Sequence, residues 1–470
     1  MTITIVPRHA PSIQPDDVWL KIGDWLQRHQ ATIRIVQWTM VLVYCVLLIV
    51  PVFLPLPDRA VYLWTNFTRF AQFIFWGVWW PLVLLTTALV GRIWCGILCP
   101  EGAITEFAGG RGRGRAIPRW LMWPGWPTLA FACTTLYGQM TSVYQYPAPT
   151  LLILGGSTLA AALIGLLYGR NKRVWCRYLC PVSGVFGLLA KLAPLHFRVD
   201  PPLWQLSQLS GTKPKAINCA PLVPIRTMRG ASDCHMCGRC SGFRGAIRLA
   251  RRSPNHEIVH VAGAAAKPWE TILIVFGLMG LAVGAFQWSV SPWFVYAKQW
   301  MAEWLIENGV TWPLEATAPW WVLTNYPQKN DVMTLLDGAL LIAYLLAAAL
   351  ACGATTLSLL ALAARSLGPW RTQRFHHLAQ SLIPLAGAGV FLGLSGLTVS
   401  QLRSDGIVLP FVDLLRLATL AMATFWSGVL CWQMTGTYSQ QPARRVLALS
   451  LVGLAMTPAV AGWVLLFWIW

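Results

Sequence analysis

RVWCRYLCPVSG, residues 173–184, decides how the chain is read, because RIWCGILCPEG at residues 92–102 is an earlier copy of it. Aligned on their tryptophans, Arg92 and Arg173, Trp94 and Trp175, Cys95 and Cys176, Leu98 and Leu179, Cys99 and Cys180, and Pro100 and Pro181 coincide. Each copy follows an apolar run long enough to cross a bilayer, so the thiols recur at one membrane depth. The repeat predicts two pseudo-symmetric halves that face each other. Within each copy the cysteines stand at i and i+4, on one face of a helical turn. A four-thiolate site from Cys95, Cys99, Cys176 and Cys180 suits an iron–sulfur cluster, a thiol/disulfide relay or a transient Cu(I) site. The plainer reading is reduced cysteines packed as small hydrophobes. Coincidence at so many positions favours chemistry.

The chain has 470 residues, 56% hydrophobic and 11% charged, with mean hydropathy +0.54. Soluble domains carry about a quarter charged residues, so most of this chain belongs in lipid. Its 27 Trp suit bilayer interfaces, where one edge of the ring is wet and the other apolar. A net charge of +19 would attract nucleic acid, but the basic residues fall in short loops between apolar runs. There they set orientation, and nucleic acid is not expected as a partner. No short apolar core with a cleavage site opens the chain, so the first span reads as an uncleaved insertion signal. Most of the 12 cysteines neighbour Arg-rich loops on the reducing side, which argues for metal or redox chemistry over disulfides.

In chain order, 1–35 is a basic cytoplasmic segment with a short helix near its end. Residues 36–194 form a four-helix membrane core with spans near 37–56, 70–90, 120–140 and 150–168. VFGLLAKLAPLHF closes that core as an amphipathic stretch expected to lie along the interface. Residues 195–268 are a cytoplasmic 4Fe-4S domain. Residues 269–470 are a C-terminal membrane domain of about five helices, with an outer, periplasmic segment at 291–332 mixing Trp with Glu303, Glu307 and Glu315. The run 333–364 is long for one crossing and predicts a tilted helix or a hairpin. Clusters at Arg111–Arg119, Arg170–Arg177, Arg365–Arg374 and Arg444–Arg445 share one side, which puts the N-terminus in the cytoplasm and the C-terminus outside. The fold class is therefore an all-α polytopic membrane protein of about nine transmembrane helices with a small cytoplasmic ferredoxin-like iron–sulfur insertion.

That insertion holds Cys234-His-Met-Cys237-Gly-Arg-Cys240. Cysteines at i, i+3 and i+6 wrap a chain around one corner of a 4Fe-4S cube. Structural zinc uses two separated pairs instead, although a zinc knuckle with Cys219 and His235 is an alternative. A ferredoxin run would continue with Cys where Arg244 stands, so Cys219 is the expected fourth ligand. Arg239, Arg244 and Arg248 fit either an anionic cluster or a solvated basic face. Cys45, Cys133, Cys352 and Cys431 read as packing residues. His376 and His377 are haem ligands or, more simply, caps. Asp337, Asp413 and Arg416 are charges within apolar runs, which raises ion or proton handling.

The two WCxxLCP motifs with the triplet behind them resemble the membrane polyferredoxins of the NapH, NosR and CcoG types, over residues 37–255. The stretch SDCHMCGRCSGFRGAI and the extra C-terminal spans are similar to the FtrD type that accompanies ferrous-iron uptake. The resemblance implies a bacterial inner-membrane electron carrier, with Cys234, Cys237 and Cys240 matching the ligands of one 4Fe-4S cluster and Cys95/Cys99 and Cys176/Cys180 matching the paired motifs, where a second can sit. Its implied partners are membrane lipid, quinone, a periplasmic redox or metal-binding protein, and other subunits of an iron or copper uptake or reductase system. It departs from the pattern in having one triplet instead of two full ferredoxin runs. A metal transporter component and a non-redox assembly scaffold are the rival readings.

Overall fold

The computed structural model describes residues 18–58, 61–209, 214 and 216–470, so residues 1–17 of the N-terminal segment lie outside the described part. Eight described helices are long and apolar enough to cross a membrane: Gln30–Phe53, Phe67–Val90, Pro147–Tyr168, Pro268–Gln287, Leu335–Ser366, Thr372–Ser404, Val412–Tyr438 and Pro442–Ile469. Pro147, Pro268 and Pro442 open their helices at the first turn, where a missing N–H loses no hydrogen bond. Leu335–Ser366 is one unbroken helix of 32 residues, not a hairpin. At about 48 Å it exceeds a core of about 30 Å and must tilt or protrude.

The expected third span is shorter than predicted, a 15-residue helix at Trp126–Met140 entered through turns. It still runs beside Pro268–Gln287 from end to end. Trp123 packs on Trp269 at one end (4.7 Å between rings), and Trp288 Nε1 donates to Gln139 Oε1 at the other (2.9 Å).

The two membrane halves share one apolar core. Trp79, Val83, Leu188 and Leu189 from the repeat half pack with Leu278, Ile383, Leu430 and Trp463 from the C-terminal half. The stretch expected along the interface is part of this core: Leu188, Ala190, Lys191 and Leu192 are all buried. The reason is electrostatic as well as apolar. Lys191 Nζ reaches Glu270 (2.6 Å) and Gln380 Oε1 (3.1 Å), so its charge is paired inside the bundle instead of facing headgroups.

On the repeat side, strands Leu195–Val199 and Ile247–Arg251 pair antiparallel beside helix Pro201–Leu209. Helix Val18–Arg28 packs against them, and Leu26, Phe197, Trp204, Met236, Ile247 and Leu249 form a separate small core. Among the described residues this two-stranded ribbon is the sheet of that region.

The segment 291–332 joins its neighbours at the opposite end of the bundle. Helix Pro292–Glu307 buries Phe294 and Leu305 and leaves Trp293, Trp300 and Trp304 exposed. Thr324 N–H donates to Met140 O (2.8 Å), and Tyr326 stacks on Tyr146 (3.6 Å).

Candidate metal centres

The two repeats fold into the same turn. Cys99 N–H donates to Trp94 O (2.8 Å), and Cys180 N–H donates to Trp175 O (3.0 Å). Proline directly after each second cysteine removes a donor and favours a change of direction. As a result Cys95, Cys99, Cys176 and Cys180 all line one cavity of about 240 Å³. Its wall is aromatic, with Tyr44, Trp76, Trp79, Trp94 and Tyr144 from the repeat half and Phe286 from the other. Trp79 meets Trp94 at 5.1 Å, and Trp76 meets Tyr144 at 4.7 Å. Three π-helical stretches, Phe73–Trp79, Trp94–Leu98 and Leu151–Gly155, contribute to this wall. Such wide turns concentrate at functional sites, because the extra residue re-aims side chains. Glu101 also lines the cavity, accepting from Ser157 Oγ (2.6 Å) and Trp175 Nε1 (3.0 Å).

The second set is compact. Cys219, Cys234, Cys237 and Cys240 line one small cavity together with Arg239 and His235. Left-handed backbone at Met236 and Gly238 curls the triplet around it. A Cβ on Gly238 would stand 2.4 Å from Leu26 Cβ, so only glycine lets the loop seat on the N-terminal helix. Cys219 is delivered from outside the triplet: Lys172 Nζ donates to its carbonyl (3.1 Å) and Arg173 N–H to that of Ala220 (2.8 Å). Burial pushes the Cys234 thiol up to about 12 and Cys240 well above its ordinary value. As free thiols both are protonated at neutral pH, and a metal centre there must displace those protons.

The donor sets fit a cluster better than a single ion. Among the described residues no three of His, Cys, Asp or Glu gather tightly enough to hold one metal ion. A zinc knuckle, with Zn–S about 2.3 Å, would draw its sulfurs to within about 4 Å of one another. Four thiols lining one cavity are the ligand number that an iron–sulfur cube takes. Cysteine thiolates supply that cube with its ligands, and its redox chemistry is one-electron transfer.

Close packing, buried hydrogen bonds and an ion-pair chain join the two sets. A Cβ on Gly96, next to Cys95, would stand 2.0 Å from His235 O and 3.0 Å from Cys237 N, so the first repeat lies directly on the triplet. Arg92 Nη1 donates to Ser232 O (2.9 Å). Arg173, buried, donates to the carbonyl of Cys95 and pairs with Glu106 at 2.8 Å, and Glu106 also pairs with Arg239 at 2.6 Å. Burial alone would raise the Glu106 carboxyl, but Arg173 and Arg239 hold it below the usual range. Gln30 donates to Cys237 O (2.9 Å) and Gln37 to Gly96 O (2.8 Å), so the N-terminal helices clamp both sets. Sequence reasoning missed Gly96, Gln30, Gln37 and Glu106. Only the duplicated Arg92 and Arg173 carried a signal.

Other candidates resolve into structure. Both ring nitrogens of His377 are taken, by Tyr438 Oη (2.5 Å) and Ile258 O (2.6 Å), and His376 Nδ1 meets Thr271 Oγ1 (2.9 Å). Asp337 closes a capping box with Thr334 and pairs with Lys298 (2.6 Å). Asp413 pairs with Arg416 (3.3 Å) and is exposed. Each of these charges has a structural partner. Arg244 turns away from the cysteines to Ser207 Oγ (3.0 Å) and the face of Trp204 (5.5 Å). Cys352 and Cys431 are buried in the core, Cys45 is half-buried and Cys133 is exposed.

Residues 72–118 and 151–200 match a protein family described as a 4Fe-4S binding domain. A 4Fe-4S cluster is the cofactor of that domain. The matched segments contain both repeats and all four of their cysteines, and stop short of the triplet. Sequence reasoning had given the triplet the first cluster and the repeats a second. A protein of Escherichia coli (strain K12), "Putative electron transport protein YccM", is 24% identical over 229 residues, 43% of this chain and 62% of that protein. The chain thus covers less than two thirds of that relative. No solved structure gives a significant match.

Proposed function

We propose that the protein is an iron–sulfur electron carrier of the bacterial inner membrane, with clusters at both thiol sets. The observation that carries this is the seating of Gly96 on His235 and Cys237, which makes two four-cysteine cavities neighbours. The 4Fe-4S family match and the likeness to a protein named for electron transport support it. Cys219, Cys234, Cys237 and Cys240 hold the cytoplasmic-side centre, and Cys95, Cys99, Cys176 and Cys180 hold the one facing the aromatic cavity.

A fixed centre near one face cannot reach across a hydrocarbon core of about 30 Å. The aromatic cavity answers that difficulty. It runs from the four repeat cysteines to Val143 and Tyr144, which belong to the opposite end of the bundle. A flat, lipid-soluble quinone suits walls of Trp and Tyr in such a space. In this reading Trp76, Trp79 and Phe286 bind and orient the ring, and the apolar wall excludes water. The exposed tryptophans and carboxylates of 291–332 would receive a periplasmic redox or metal-handling partner, with other subunits of an iron or copper uptake system.

The test is anaerobic purification with iron and sulfide analysis, then EPR after chemical reduction and after addition of a short-chain quinol. Two cluster signals are expected, at least one of them reduced by the quinol. Wild-type protein without acid-labile sulfide would end the cluster reading. Clusters indifferent to quinol would remove the carrier and leave the cytoplasmic route.

A further inference from the structure

A polar cleft of about 230 Å³ opens at the cytoplasmic foot of the bundle, adjoining both thiol cavities. Its walls are the turn at Trp123, the second repeat at Arg177, the loop at Asp233 and His235, and Lys267 and Trp269 where the span Pro268–Gln287 begins. We propose that this cleft binds a phosphate group, either the headgroup of an acidic phospholipid or free phosphate.

The charge balance is the first reason. Arg92, Arg177 and Lys267 line the cleft and all act on one carboxylate, Asp233, whose ion pair is with Arg177 at 2.6 Å. The other acid, Glu270, is engaged by Lys191 (2.6 Å) and by Gln380 Nε2 (2.9 Å). Arg92 also acts on the Cys95 and Cys180 thiols, which leaves Arg177 and Lys267 against one available carboxylate and the cleft positive. Charge excess in a concave, partly dry site draws an anion.

Unmet hydrogen bonding is the second. Arg92 Nε and His235 Nδ1 are buried without a partner, in residues only 4% and 2% exposed. An orphaned buried polar atom costs about 1–3 kcal/mol, so such atoms normally have a partner. Arg92 Nε is always a donor, and a neutral imidazole can carry its proton on Nδ1. Both residues line the cleft, so each brings a donor there that no described group satisfies.

The mouth supplies the third. Trp123 and Met122 are 37% and 40% exposed, and the Trp123 and Trp269 rings meet at 4.7 Å where a span leaves the membrane. Tryptophan at headgroup level beside cations between helices is the arrangement that holds acidic lipids. Because Arg92 and Cys176 also line the aromatic cavity and His235 also lines the triplet cavity, an anion here would stand between the two thiol sets.

The test uses the full-length protein, delipidated in detergent, with thermal unfolding followed against added phosphatidylglycerol, phosphatidylcholine and inorganic phosphate. Phosphatidylglycerol is expected to raise the midpoint by several degrees and phosphatidylcholine far less. A matching rise with inorganic phosphate assigns the site to the free ion, and no rise with it assigns the site to lipid. Lys267 is exposed, so Lys267→Gln should fold normally while weakening binding about tenfold, the worth of one charge-assisted contact. No stabilisation by either phosphate source, equal effects of the two lipids, or unchanged affinity in Lys267→Gln would each overturn the proposal. Iron content and EPR are read in the same samples, so loss of this site is distinguishable from failure of the electron-transfer reading.

Discussion

The two thiol sets have the same number of cysteines and opposite construction. The triplet set takes three ligand candidates from seven consecutive residues, and its cavity is small and local. The repeat set takes two from each of two distant turns, and its cavity is walled by residues as far apart as Tyr44 and Leu394. One depends on a loop closing on itself, the other on two membrane halves docking. A lesion in the membrane packing should therefore strike the repeat set first, and a lesion in the small core around Phe197 and Met236 should strike the triplet first. Only the junction at Gly96 and Glu106 should harm both.

Cysteine replacement gives the largest effect. Cys180→Ser and Cys240→Ser should each abolish one cluster signal and about half the iron, because a serine oxygen is a poor substitute for thiolate. Loss of both signals from either single replacement would mean one shared centre and end the comparison. Cys219→Ala should match Cys240→Ala; iron kept at the wild-type level would transfer the fourth ligand to His235.

Gly96→Ala comes next. The added carbon has backbone within 2.0 Å on the far side, which cannot be moved aside as a side chain could. We expect a cost of about 3 kcal/mol or more and reduced cluster content at both sets. Wild-type iron and protease resistance in this variant would show that the sets are not in contact.

Glu106→Gln leaves Arg173 buried without its counter-charge and takes the ion pair from Arg239, which keeps its bond to Gln30 Oε1 (3.2 Å). The expected cost is about 2–3 kcal/mol, again with effects at both sets. Paired EPR spectra should show both signals altered; a change confined to one would assign Glu106 to that set alone.

The smallest effect separates the sets by pH. Burial, aided by Arg252, lowers His196 to about 4 in the folded ribbon. A histidine held neutral contributes stability that is lost as pH falls from about 6.5 toward 4, since only the unfolded form takes up the proton there. At pH 5 the loss is about 2 kcal/mol. Hydrogen exchange between pH 7 and pH 5 should loosen the strands around the triplet and spare the repeat turns, and His196→Gln should flatten the difference. Equal loosening in both regions would show that they open as one unit.

The sequence alone determined the membrane class, most of the spans and the four repeat cysteines as a group. Hydropathy runs and a duplicated motif are local signals, and a repeat placed twice at one depth leaves few ways to fold. It also determined the triplet, because ligand spacing along a loop is itself the geometry. Tertiary structure alone decided the rest. The stretch around Lys191 is amphipathic by pattern yet buried, because its ammonium meets Glu270 and Gln380 from helices far along the chain. Gly96 looked like any spacer between cysteines until His235 came to rest against it. Gln30 and Gln37 belong to a helix that reads as an ordinary first span, yet their amides hold the main chain of both thiol sets. Contacts of this kind depend on where distant elements pack, and no periodicity within a single segment encodes that.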